Sequence, residues 1–294
     1  MKEKYWISDR GDIRVDHRKI LNEFLYSIRL SNLSSRTIDM YRYGLERFLA
    51  DCSVPLSELK FDDVLNWLRI KFQLKKTTTM NNAITILSIF FKYCREEGYI
   101  ERVLIKRFWR PRNPKSVPKF LSKQDLAQVR LAAEKFPLRE RVILEFFIST
   151  GCRLSELYSL NVSDIDVKNR TALVMGKGRK LRYVHFSETC AIILCKYLLN
   201  LSLDNPALFP KPKGGRLSRK CIAIRITKLG RSASLSRRIS PHCLRHTFAT
   251  NLLSKGADLN LIMALLGHDD INTTRIYANL LPEQVIHMYR RYMG

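Results

Sequence analysis

Between Trp109 and Pro118 the chain carries Pro111, Pro114 and Pro118, interleaved with Arg110, Arg112 and Lys115. Proline fixes φ and has no amide hydrogen to donate, so this stretch can neither continue a helix nor bury itself in a core. The chain must therefore fold as two parts joined at 109–118. With 294 residues and a hydrophobic fraction of 46%, it has enough apolar mass to fill two cores.

The two parts carry different periodicities. Before the linker everything reads as helix. Ile20, Phe24 and Ile28 mark a first helix, and Ser34 or Ser35 caps a second in which Ile38, Tyr41, Leu45, Phe48 and Leu49 recur every three or four residues. A third helix is expected over 61–70 and a fourth over 77–96, stopped by Gly98. Residues 1–16 read as an N-terminal extension and 17–108 as a helical domain.

Beyond the linker, Ser122-Lys123-Gln124-Asp125 comes close to a capping box opening a helix, and 138–149 forms another that ends at Thr150-Gly151. The pattern then changes. Ile165 and Val167, Ala172 to Met175, and Leu181, Tyr183 and Phe186 predict three short strands, with Gly176-Lys177-Gly178 in the hairpin. Helices return at 188–201, 218–229, 241–254, 259–266, 273–280 and 282–292. The expected fold class is mainly α with a small antiparallel β-sheet, in two domains, the second an α+β domain over 119–294.

The charge points to a polyanion. Lys+Arg number 52 against 27 Asp+Glu, a formal net charge of +25, well beyond what solubility requires. Residues 1–110 hold 21 basic and 14 acidic side chains, whereas 111–294 hold 31 and 13. From Asn205 to Ala257 there is no acidic residue among twelve basic ones, a run suited to tracking a phosphate backbone. Seven cysteines without a CxxC pair read as reduced thiols of a cytoplasmic protein. The charged N-terminus lacks the apolar core of a signal peptide, and no apolar run approaches the ~20 residues needed to span a bilayer. No membrane partner is expected.

Chemistry-bearing residues gather toward the C-terminus. His242-Cys243-Leu244-Arg245-His246 precedes Leu266-Gly267-His268, and Tyr277 follows nine residues after His268. Upstream lie Arg153, at a turn between two helices, and Lys177 on the hairpin. Attack on a phosphodiester builds negative charge on the nonbridging oxygens, and two preorganised guanidinium groups meet it with bidentate donors. Tyrosine, with a free pKa of ~10, needs a partner to accept its proton, a role that suits His242. A leaving 5′ oxygen needs a proton, and Lys177 on a flexible hairpin can deliver it.

A metal site over His242, His246, Cys243 and His268 fits poorly. It lacks the glutamate of an HExxH helix and would place Arg245 beside the ion. No metal and no cofactor are expected. His246 reads as structural support, and His17, His185 and His287 as surface or packing residues.

The strings TGCRLSEL, GKGRK, HCLRH, LGH and TTRIY, in this order and spacing, closely resemble those of the tyrosine recombinases, and most of all the XerC/XerD-type branch. LSSRTIDMYRYGLERFL and TTTMNNAITILSIFFKYCREEGYI look like that family's N-terminal helical core-binding, SAM-like domain. The resemblance implies that Arg153, Lys177, His242, Arg245, His268 and Tyr277 form the active site, with Tyr277 as nucleophile. It implies a metal-free reaction through a 3′-phosphotyrosyl link and a Holliday junction. Four protomers, alike or of two kinds, would hold double-stranded DNA at a core site, with 282–292 docking on a neighbour. His185 departs from the family pattern, which more often has proline there.

The cations expected on DNA are Arg36, Arg42, Lys75 and Lys76 in the first domain, and Arg110, Arg112 and Lys115 in the linker. In the second domain they are Arg179 and Lys180 of the hairpin, and Arg216, Arg219, Lys220, Arg237 and Arg238 of the acid-free run. The competing functions are a type IB topoisomerase-like relaxase, which shares the chemistry but reseals the same strand, and a non-catalytic DNA-binding architectural protein.

Overall fold

The structure is a computed structural model that describes residues 5–112, 120–176, 180–202, 205–235, 237–267 and 289–293. It divides into two compact units, Met1–Ser116 and Val117–Gly294. Among the described residues no helix is long and apolar enough to cross a membrane.

Among the described residues the first unit holds four α-helices, α1 (Val15–Leu30), α2 (Ser35–Ala50), α3 (Phe61–Phe72) and α4 (Thr77–Glu96). Each helix buries one apolar stripe. Leu21, Phe24 and Leu25 of α1 meet Ile38, Leu45 and Leu49 of α2 and Ile84, Phe90 and Phe91 of α4 in one core. Phe24 and Phe90 pack edge to face with centroids 5.4 Å apart. Ser34 caps α2 by accepting the Thr37 amide, which satisfies a donor the helix leaves orphaned. Beyond α4, Gly98 takes φ +79°, the left-handed conformation that favours glycine.

Residues 5–14 are more than a loose extension. Ile13 is buried, the Ser8 amide donates to Asn22 Oδ1 at 2.7 Å, and the Arg29 guanidinium stacks 3.5 Å above the Trp6 ring. Apolar Trp6 and Ile13 have a place to go, so the chain before α1 closes one side of the domain. At the other end, Asn81 Nδ2 donates to the Pro111 carbonyl and Arg110 Nη1 to Thr85 Oγ1, both at 2.9 Å. The start of the proline segment is thereby strapped to α4.

The second unit comprises α5 (Lys123–Ala133), α6 (Leu138–Thr150), α7 (Leu154–Ser159), β1 (Ile165–Asp166), β2 (Thr171–Met175), β3 (Leu181–His185), α8 (Glu188–Leu199), α9 (Arg219–Ser232), α10 (Pro241–Ser254) and α11 (Leu259–Leu266). Helix α6 is its axis. Val142 to Thr150 are buried all round, as expected of a helix with packed neighbours on every side. Truncating fully buried Phe146 or Phe147 to alanine would cost about 3–5 kcal/mol.

The strands form an antiparallel sheet in the order β1-β2-β3, with Thr171 opposite His185 and Met175 opposite Leu181. β1 stops at Asp166, short of Val167, because the Asp166 carboxylate accepts the Asn169 amide and turns the chain. The capping box of α5 is present, Ser122 accepting from the Asp125 amide and Asp125 from the Ser122 amide. The helix expected at 273–280 and most of that at 282–292 lie outside the described residues. Residues 289–293 are helical, and Tyr289 is buried in its own domain with its hydroxyl donating to the Ser149 carbonyl at 2.7 Å.

Candidate active site

Three chain turns converge at one end of the second unit. The first follows α6, where Gly151 adopts φ +60° and a Cβ there would stand 2.4 Å from Phe248 Cδ1. Both constraints demand glycine. Thr150 Oγ1 accepts the Cys152 amide at 3.1 Å and fixes the turn. Burial pushes the Cys152 thiol up to about 12, so it stays protonated and serves as packing.

Arg153 then opens α7. Its amide donates to Glu156 Oε2 at 2.7 Å, its Nη1 to Oε1 at 2.9 Å, and its Nη2 to the Gly267 carbonyl at 2.7 Å. The second turn begins α10, where the Ser240 hydroxyl accepts the Cys243 amide and Pro241 takes the first helical position. One turn further on, buried Arg245 donates from Nη1 to the Gly151 carbonyl at 2.9 Å and from Nη2 to the Leu266 carbonyl at 2.8 Å. The third turn is the end of α11, where Gly267 has φ +63°. The carbonyls of Leu266 and Gly267, left orphaned by the end of that helix, are the acceptors that gather the arginines.

A third guanidinium, Arg182 of β3, joins them. Its Nη2 donates to Glu156 Oε2 at 2.9 Å and to the Leu266 carbonyl at 3.2 Å. Glu156 is fully buried and binds both Arg153 and Arg182. With three cations around one carboxylate, the pocket is electropositive. Burial first, and then the Arg153 charge, lower the Arg245 guanidinium to about 10, which leaves it protonated at neutral pH.

His242 is exposed on the first turn of α10. Its Nε2 lies 3.0 Å from His246 Nε2, the rings meeting edge-on at 73°. A hydrogen bond between two imidazole nitrogens needs one to carry the proton and the other a free lone pair. Burial, then the neighbouring His242 and Arg245, lower the His246 pKa. The contact ties the exposed His242 ring to the half-buried His246 on the next turn of α10.

Of the six residues expected in the site, Arg153, His242 and Arg245 are placed, and the two arginines are brought together. Lys177, His268 and Tyr277 lie outside the described residues, as do Arg179 and Lys115. The hairpin that bears Lys177 is closed at its base by the Gly176 amide donating to the Lys180 carbonyl at 2.8 Å. A Cβ on Gly176 would stand 3.7 Å from Glu156 Oε1, so the hairpin springs from the edge of the arginine cluster. Residue 268 follows Gly267 directly in the chain.

Among the expected DNA-facing cations, Arg36, Lys75, Lys76, Arg110, Arg112, Lys180, Arg219, Lys220 and Arg238 are exposed. Arg216 departs from the expectation. Its guanidinium turns inward to the carbonyls of Tyr158 and Leu160 and to Asn161 Oδ1, where it braces the end of α7. Arg42 pairs with Asp39 and Glu46, and Arg237 with Asp125, which spends much of their charge within the protein.

Two residues of the cluster escape a reading of motifs, namely Glu156 and Arg182. The first has a signal in its spacing, a carboxylate three residues after Arg153, where a capping box would place one. The second has only strand alternation, which puts Arg182 on the same face as buried Val184.

The chain belongs to the phage integrase family, whose model matches residues 119–284, with the integrase N-terminal SAM-like domain matching residues 20–101. Its relatives are tyrosine recombinases of the Xer type. It is 33% identical to tyrosine recombinase XerC of Thermodesulfovibrio yellowstonii over 92% of this chain and 94% of the relative. It is 30% identical to tyrosine recombinase XerD of Oceanobacillus iheyensis over 92% of this chain and 97% of the relative. Its fold is similar to that of XerH site-specific recombinase solved with its difH substrate, with a TM-score of 0.67 at 24% identity over 94% of this chain and 90% of that one.

Proposed function

We propose that this site-specific recombinase cleaves and rejoins duplex DNA through a 3′-phosphotyrosyl intermediate. Tyr277 Oη attacks the scissile phosphorus, His242 takes the phenolic proton, and the phosphotyrosyl bond forms as the bond to the 5′ oxygen breaks. Lys177 protonates that leaving oxygen. The free 5′ hydroxyl of a partner strand then attacks the phosphotyrosine and restores the phenol. Two such exchanges pass through a Holliday junction held by four protomers, of this chain alone or of this chain and a second recombinase.

One observation carries this reading above the rest. Arg153 and Arg245, from different helices and 92 positions apart, are both fixed to the end of α11 through the Gly267 and Leu266 carbonyls, and Arg245 is fixed also to the turn after α6 through the Gly151 carbonyl. Donors held rigid before substrate arrives need no reorganisation as charge develops on phosphate oxygens. His268, the residue after Gly267, would complete the set. The reaction needs no metal or cofactor, because the charge is met by arginine and the protons by His242 and Lys177.

Exposed cations supply the path for the DNA backbone. Arg36 near the start of α2 and Lys75 and Lys76 before α4 serve in the first unit. Arg110 and Arg112 serve in the linker, and Lys180, Arg219, Lys220 and Arg238 in the second unit, with Lys115 and Arg179, outside the described residues, adding their charge from the sequence. The protein would work on DNA in the cytoplasm. Resolution of a supercoiled plasmid carrying two copies of its target site into two circles tests the function. Relaxation of that plasmid with no recombinant circles would instead make the protein a relaxase.

A further inference from the structure

Arg182 has no part in the six-residue mechanism, yet it bonds one anchor of each of the two arginines. Its Nη2 reaches Glu156 Oε2, which also holds the Arg153 amide, while Oε1 of the same carboxylate holds Arg153 Nη1. The same Nη2 reaches the Leu266 carbonyl, which also holds Arg245 Nη2. Its Nε and Nη1 have no hydrogen-bond partner among the described residues. The group lies so close to Gly267 that a Cβ there would stand 2.4 Å from Nε.

A cation half-satisfied and largely buried beside two others is a poor device for stability. An aliphatic side chain on the inward face of β3 would fill the space without desolvating a charge. What the guanidinium adds is connectivity. Arg182 lies on β3, five residues after Lys177 and across the sheet from Val174, so it ties the hairpin to the turn before α7 and to the end of α11.

We propose that Arg182 is a positioning residue for DNA cleavage, bracing Arg153 through Glu156 and Arg245 through Leu266 from its place on β3. The inference rests on the recombinase function proposed above. It also gives Gly267 a second role, since glycine there leaves room for the Arg182 fork as well as permitting the left-handed turn before His268.

The test uses the full chain and a duplex enriched from a random pool by wild-type binding, nicked so that cleavage traps the covalent adduct. Melting temperature, duplex Kd and the single-turnover rate constant of adduct formation are measured for wild type, Arg182→Gln, Arg182→Lys, Glu156→Gln and the Arg182→Gln/Glu156→Gln double variant. Arg139→Gln serves as the structural control, since Arg139 bonds Glu140 and the Pro210 carbonyl away from the cluster. The control should melt lower with an unchanged rate constant.

Both Arg182 variants should bind the duplex as wild type does while the rate constant falls about 10- to 100-fold, the scale of a misplaced catalytic group. Lysine should fail to rescue, because a single ammonium replaces the planar fork. The double variant should be no slower than the worse single variant, since both act through one carboxylate. A rate constant within twofold of wild type in either Arg182 variant, or losses that multiply in the double variant, would overturn the inference. If the glutamine variant does not fold, the lysine variant decides. A wild type that forms no adduct would remove the recombinase function and this inference together, whereas wild-type adduct with unaffected Arg182 variants removes only the inference.

Discussion

Arg245 Nη1 donates to the Gly151 carbonyl at 2.9 Å, so the guanidinium on α10 is anchored to the turn that aims Arg153. The two arginines cannot move independently. A shift of that turn carries Arg153 with it and breaks a bond to Arg245.

Gly151→Ala should therefore be costly in two ways. The residue has φ +60°, and its new Cβ would overlap the Phe248 ring. The expected destabilisation is about 2–4 kcal/mol, combining left-handed strain with overpacking. Urea unfolding measures it, and Gly151→Ala/Phe248→Ala should recover none of the backbone part.

Removing either clamp arginine should lower the melting temperature, because buried acceptors lose their donors, yet leave DNA binding near wild type below that temperature and cut adduct formation. Loss of preorganised donors to the phosphate predicts a fall of about 100- to 1,000-fold for Arg153→Ala or Arg245→Ala. Single-turnover cleavage on a nicked duplex measures it, and cleavage near the wild-type rate in either variant would contradict the clamp.

Chelation should leave the reaction unchanged. Adduct formation in EDTA at constant ionic strength is expected to match that in magnesium. Strict dependence on a divalent ion would contradict charge stabilisation by arginine alone.

His185 makes stability depend on pH. Burial, reinforced by the Arg290 charge, lowers its pKa from 6.5 to about 4. The unfolded chain protonates this residue near pH 6.5 while the native chain holds it neutral, so between pH 6.5 and 4 the unfolded state binds more protons. Stability is thus fully present above pH 6.5 and is lost as pH falls through this window, by about 2–3 kcal/mol from this group. Urea midpoints between pH 7 and 4.5 measure the slope, and His185→Leu should flatten it.

Much of this architecture is legible in the sequence because it is local. Helix α4 spans Thr77–Glu96, as its apolar periodicity and Gly98 predict, and the hairpin lies where the period changes. Arg153 falls at the turn set by Thr150-Gly151 for the same reason. Glu156 and Arg182 are different, since their meaning comes from residues brought together across the fold. A glutamate on α7 becomes a buried counter-ion only once β3 lays Arg182 over it. Arg216 reads in sequence like any basic residue of its acid-free run. Only folding turns its fork onto the carbonyls of Tyr158 and Leu160. Charge composition reports the sum of the cations and is silent on which of them face inward.

The most direct test of the central claim is the covalent link itself. Wild type and Tyr277→Phe are incubated with a nicked duplex bearing the target site, and the denatured products are resolved and digested for mass spectrometry. Wild type should yield a DNA adduct mapped to Tyr277 with a free 5′ hydroxyl on the released strand, and Tyr277→Phe should bind the duplex yet yield none. An adduct that persists in Tyr277→Phe, or that maps to another residue in wild type, would contradict the account.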